Sequence, residues 1–127
     1  IDHAKKNLTN TQLIDRVTLK HKDVTEEITD SNIDAIILDI PNPWEAIPHA
    51  WNALNPGGYL CTYSPLISQV EQSVEAIRKQ PFTNVKTIET IQREMIVGER
   101  GTRPSFNMLG HTGYLTFARK TLPKEKN

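Results

Sequence analysis

One cysteine, Cys61, occurs in 127 residues. A single thiol excludes an intrachain disulfide framework and fits a reducing compartment. It sits in the apolar run Tyr59-Leu60-Cys61 with no histidine beside it, and so reads as packing rather than as a nucleophile. An excess of one charge is also missing, since fifteen basic residues balance fifteen acidic ones. No global field attracts nucleic acid, and any RNA contact has to be local. No apolar stretch approaches the roughly 20 residues of a membrane span, and no charged-then-apolar leader is recognisable; the expectation is a cytoplasmic protein. His3, His21 and His49 share no metal-ligand spacing with one another or with Cys61, so no metal is expected. Glycine is scarce, at six residues, and no strand-to-helix Gly-x-Gly turn occurs. Position 1 is not Met, and residues 1–8 read as the inside of a helix, which creates the expectation of a fragment.

What is present has the profile of one globular domain, 37% hydrophobic and 24% charged. Ala4 and Leu8 make a weak helical stripe that ends at Thr9-Asn10-Thr11. Arg16-Val17-Thr18-Leu19-Lys20-His21 alternates like a half-covered strand, and Lys22-Asp23 turns away. Asp34-Ala35-Ile36-Ile37-Leu38-Asp39 is an apolar run bracketed by acids, predicted as a strand buried on both faces at the centre of a parallel sheet. Ile47, Ala50, Trp51 and Leu54 follow helical spacing, with Asn55-Pro56-Gly57-Gly58 as the stop and residues 59–63 as the next strand. A capping-box pattern at Ser68-x-x-Glu71 opens a helix bearing Val70, Val74 and Ile77, closed by Pro81. Residues 85–97 form a long β-prone stretch, and residues 112–118 form another. Between them, residues 98–111 make a loop longer than structural connections need. The order of elements predicts an α/β fold with parallel crossover units.

The segment richest in chemistry is Leu38-Asp39-Ile40-Pro41-Asn42-Pro43-Trp44. It puts a carboxylate at the carboxyl end of a strand, where open α/β sheets bind ligands, and follows it with a stiff two-proline turn suited to holding a planar base. The plainer reading is a strand-to-helix connection with Trp44 in the core.

Taken in order, Asp-x-Pro-x-Pro-Trp, Leu-Asn-Pro-Gly-Gly-Tyr, Tyr-Ser-Pro-x-x-x-Gln-Val, Arg-Pro and Gly-His-Thr-Gly-Tyr-Leu resemble the family of tRNA methyltransferases that act on N1 of adenine 58. The likeness covers residues 13 to 120 or so. It implies a Rossmann-like methyltransferase sheet, mostly parallel with an antiparallel last strand, in an enzyme using S-adenosylmethionine on tRNA and assembled as a tetramer of identical or related subunits. It implies that Asp39 is the catalytic carboxylate and also borders the cofactor, that Tyr63 lines the pocket of the target adenine, and that Asp23 contacts the adenine of S-adenosylmethionine. Pro41, Trp44, Gln69, Arg103 and His111 are the remaining candidates for substrate contact. For Gln69 capping is the alternative, for His111 a structural or interface role, and for Arg93, Arg100 and Arg103 a solvated surface.

The sequence departs from that family in lacking the glycine-rich turn and the ribose-binding acid of the N-terminal cofactor-binding strands. The expected organisation is a partial catalytic domain over residues 1–118 and a polar tail over residues 119–127, with the isolated fragment neither binding the cofactor well nor turning over. Two other functions stay open: a non-catalytic tRNA-binding or assembly subunit, and a Rossmann-like methyltransferase with another substrate.

Overall fold

A computed structural model of the chain describes residues 1–122. Helix α1 (Asp2–Asn10) buries no side chain, in keeping with its weak stripe, and leads through a 3₁₀ turn (Ile14–Arg16) to residues 17–32. Strand β1 (Ile33–Leu38), α2 (Pro43–Ala53) and β2 (Leu54–Ser64) follow, then α3 (Ile67–Arg78) and β3 (Phe82–Glu89). A hairpin of β4 (Met95–Gly98) and β5 (Gly101–Pro104) precedes β6 (Tyr114–Lys120).

The main sheet has the order β1-β2-β6-β3. Strands β1 and β2 are parallel, and β6 is antiparallel to both of its neighbours, β2 and β3. Three strands therefore run one way and the last runs against them, as expected. The crossover β1-α2-β2 is forced by the parallel pairing, which no tight hairpin can make. Strand β6 takes the place beside β2 that chain order would have assigned to β3.

Alternation decides which face is covered. On β2, Leu60, Thr62 and Ser64 are buried under the helices, whereas Tyr59, Cys61 and Tyr63 face the other way. Ala46, Ile47 and Ala50 of α2 and Ile77 of α3 close the core over Leu38, Leu60 and Ala118. Lys120 ties the end of α2 to the sheet, its Nζ donating to the carbonyls of Trp51 and Leu54 at 2.6 Å each while lying over the Trp51 ring.

Four expectations need correction. Residues 16–21 form no strand: Val17 has extended dihedrals, but among the described residues this segment has no ladder partner, and alternation alone does not make a strand. Within the described residues, strand β1 lies at an edge of the sheet rather than its centre, and Ile37 is 75% exposed because none of them covers the face opposite α2 and α3. The helix α3 starts at Ile67, so Ser68 is inside it; the cap is half a box, with Gln69 Oε1 accepting from the Leu66 N–H at 3.1 Å, since a leucine side chain has nothing to accept with. The stretch 85–97 is broken at residues 90–94, and its end pairs with part of the presumed loop 98–111 to make the β4–β5 hairpin. Of the expected tail, Arg119 and Lys120 pair with β2 or β3 at the end of β6, and residues 123–127 lie outside the described residues.

Candidate functional site

The parallel register pairs Leu38 with Thr62, so Asp39 and Tyr63 are the next positions on neighbouring strand ends, roughly 5 Å apart in backbone spacing. Leu38 and Thr62 point under the helices; continuing the alternation one residue turns Asp39 and Tyr63 to the bare face, at the carboxyl edge of the sheet. Asp39 is exposed. The turn behind it is stiffened by Pro41 and Pro43, and Asn42 bonds to Glu45 in the first turn of α2.

Tyr63 is held in place by the start of β6. Its hydroxyl donates to the carbonyl of Thr112 at 2.6 Å, and Gly113 lies close against its ring, where a Cβ would come within 2.3 Å of the ring edge. The proton of the hydroxyl is thus committed to the main chain, which leaves its oxygen lone pairs and a ring face for other contacts.

A cavity of 460 Å³ joins the Asp23 turn to the turn at residues 39–42, lined by residues 21–25 together with Ile40, Pro41 and Asn42. Asp23 Oδ1 accepts from the Thr25 hydroxyl at 2.7 Å and the Thr25 N–H at 2.9 Å. Those two bonds, the hydroxyl foremost, hold its carboxyl below the usual carboxylate range. Its carboxylate shares the cavity lining with Val24, Ile40 and Pro41, so one polar group meets apolar walls there.

Gln69 and His111 close the same edge from the other side. Gln69 Nε2 donates to the Pro41 carbonyl at 2.9 Å. His111 lies between Glu89 Oε1, 2.8 Å from Nδ1, and the Pro65 carbonyl, 2.6 Å from Nε2. With an acceptor at each nitrogen the imidazolium is favoured, and the Glu89 contact, then the Pro65 carbonyl, pushes the histidine pKa up.

The structure thus brings Asp23, Asp39, Pro41, Tyr63, Gln69 and His111 to one edge. It does not bring two other candidates there. Trp44 lines a separate hollow with Pro48 and residues of α3 including Gln72, Glu75 and Ala76, because the helix carries it to the α2–α3 side. Arg103 belongs to the β4–β5 hairpin, where its guanidinium lies 4.2 Å from the Phe106 ring centre. Sequence reasoning missed Thr25, Glu89 and Thr112. Thr25 was within reach, as Asp-x-Thr is an Asx-turn pattern; Glu89 and Thr112 act through contacts 22 and 49 residues away in sequence, which no local pattern encodes. Among the described residues no three His, Cys, Asp or Glu side chains gather as metal ligands, and no helix is long and apolar enough to cross a membrane.

Known proteins resemble this chain in sequence and fold. The chain is 44% identical over 104 residues to the tRNA (adenine(57)-N(1)/adenine(58)-N(1))-methyltransferase TrmI of Methanocaldococcus jannaschii, covering 81% of this chain and 37% of that protein. A SAM-dependent O-methyltransferase from Thermotoga maritima superposes with a TM-score of 0.87 at 35% identity, over 97% of this chain and 46% of the other. The tRNA (m1A58) methyltransferase TrmI of Aquifex aeolicus superposes with a TM-score of 0.80 at 27% identity, over 94% and 49%. The chain therefore spans less than half the length of each of these relatives. The family described as the tRNA methyltransferase complex GCD14 subunit matches residues 1–101. With its Rossmann-like sheet and that match over most of its length, the chain belongs to the GCD14 family of tRNA methyltransferase subunits.

Proposed function

We propose that the protein carrying this chain transfers a methyl group from S-adenosylmethionine to N1 of adenine 58 in tRNA, in the cytoplasm, with Asp39 as the catalytic carboxylate. The observation that carries the reading is the placement of Asp39 and Tyr63 on adjacent strand ends, beside the cavity that Asp23 and Pro41 share.

S-adenosylmethionine supplies an electrophilic methyl group when bound. Asp23, Val24, Ile40 and Pro41 would hold its adenine in the cavity they line, and Asp39 borders the same turn. The chemistry left to Asp39 follows from the substrate. Adenine N1 is a weak nucleophile, and positive charge spreads to the exocyclic amino group as the new bond forms. A carboxylate accepting a hydrogen bond from N6–H stabilises that charge where it develops, and can take the proton afterwards. Tyr63 offers a ring face to a base drawn out of its stack, in an orientation set by Thr112 and Gly113. Pro41 stiffens the turn, and His111 holds the neighbouring loop. Arg103 and Trp44 lie outside this pocket.

Assembly with further copies or related subunits is part of the proposal. It is supported by Val97 and Phe106, at and just after the β4–β5 hairpin, which are 79% and 87% exposed.

The test uses full-length protein, a tRNA transcript and mass spectrometry for 1-methyladenosine. Asp39→Ala is expected to lower kcat by about 10²–10³. Wild-type modification at undiminished rate in that variant would overturn the catalytic assignment and favour the assembly-subunit reading; methylation of some other substrate would favour a different methyltransferase.

A further inference from the structure

Among the described residues, the side chain that reaches the turn at residues 39–42 from a distant part of the sequence is Gln69, 28 positions from Pro41. Its carboxamide is used at both ends: Oε1 accepts from the Leu66 N–H at 3.1 Å and Nε2 donates to the Pro41 carbonyl at 2.9 Å. The helix turn that carries it is pinned as well, since the buried Ser73 hydroxyl donates to the Gln69 carbonyl at 2.7 Å.

We infer that Gln69 is a positioning residue for Asp39, a brace between the β2–α3 loop and the two-proline turn, rather than a substrate contact. The inference rests on the proposed function for what Asp39 does, but not for the brace itself. The reasoning starts with Pro41, which has no N–H to tie its own turn down. Its carbonyl is the group by which the turn can be held from outside, and holding it fixes the peptide plane two residues beyond Asp39. A donor is needed there and an acceptor at Leu66, and the carboxamide is a side chain with both. Asparagine is one methylene shorter and does not span the gap.

The loop against which Gln69 braces is itself anchored. The Pro65 carbonyl, one residue before the braced Leu66 N–H, accepts from His111 Nε2 at 2.6 Å, and His111 Nδ1 meets Glu89 at 2.8 Å. A hydrogen-bonded line therefore runs from the end of β3 through His111, residues 65–66 and Gln69 to Pro41. Because both ends of the Gln69 carboxamide are engaged in this line, little of it is left for a substrate.

Two substitutions in the full-length protein separate the brace from the helix cap. In Gln69→Glu the carboxylate still accepts from Leu66 N–H but has no hydrogen for the Pro41 carbonyl. In Gln69→Leu both bonds are lost and no charge is added near Asp39. Gln69→Glu is expected to melt within about 2 °C of wild type, with kcat for tRNA methylation about 10- to 100-fold lower, as for a misplaced catalytic group. KM for both substrates should stay within about twofold. Amide deuterium exchange across residues 38–44 should accelerate in both variants, and Gln69→Asn should not rescue either property. Wild-type kcat and exchange in Gln69→Glu would reduce Gln69 to a cap and overturn the inference. A raised KM for tRNA with unchanged kcat would overturn it in favour of direct substrate contact. If the wild-type protein forms no 1-methyladenosine, the proposed function fails, and the exchange at residues 38–44 still decides the brace.

Discussion

Replacing Gly113 by alanine tests whether the start of β6 sets the orientation of Tyr63. An ideal Cβ at this position comes within 2.3 Å of Tyr63 Cε2, 2.6 Å of Cζ and 2.7 Å of Oη, distances that no real Cβ tolerates, so the ring has to swing away. Inserting a methyl group into a packed site costs about 1–3 kcal/mol. The swing also breaks the Tyr63 bond to the Thr112 carbonyl, 2.6 Å long, for roughly another 1 kcal/mol. The expected loss is about 2–4 kcal/mol, read as a shift of the urea midpoint at unchanged slope. Tyr63→Ala removes the atoms in collision. In that background Gly113→Ala should cost little, giving a coupling of about 1–3 kcal/mol between the two sites in a double-mutant cycle. Equal costs for Gly113→Ala with and without Tyr63 would refute the packing argument. So would a Gly113→Ala protein as stable as wild type.

His111 carries a pH signature. Its pKa is raised in the folded state by Glu89 and the Pro65 carbonyl, so its contribution to stability is complete below the unfolded value of about 6.5 and is lost as pH climbs through the folded value. Melting temperatures of wild type should therefore fall from pH 6 to pH 9 relative to His111→Gln, and parallel curves for the two proteins would contradict this. Lys120→Met should destabilise by about 1–3 kcal/mol, because two carbonyls at the end of α2 lose a charged donor; chemical denaturation measures it, and a change under about 0.5 kcal/mol would mean that water replaces the ammonium at no cost.

Much of the site was legible because its signals are local. The end of an apolar run followed by Pro41 and Pro43 announces a carboxylate at a strand terminus with a stiff turn behind it, and β1 and α2 fall where those residues predict. The spacing of Ile47 and Ala50 likewise marks part of the buried stripe of α2, whereas Trp51 is half-buried and Leu54 already opens β2. Residues 16–21 show the limit of the same logic. Their alternation is as good as that of β6, yet β6 has neighbours on both sides and residues 16–21 have none among the described residues, and hydrogen-bonded pairing is what makes a strand.

By itself, then, the sequence determined that helices follow β1 and β2, and the chemical character of the turn at residues 39–42, because periodicity and proline act over a few residues. Tertiary structure alone decided that β6 enters between β2 and β3, that Ile37 lies on a bare face, that Trp44 points to the α2–α3 hollow, and that Gln69 and His111 reach Pro41 and Pro65. Those outcomes depend on which distant segments meet, and a hydrogen bond across 28 or 46 residues leaves no trace in the local pattern at either end.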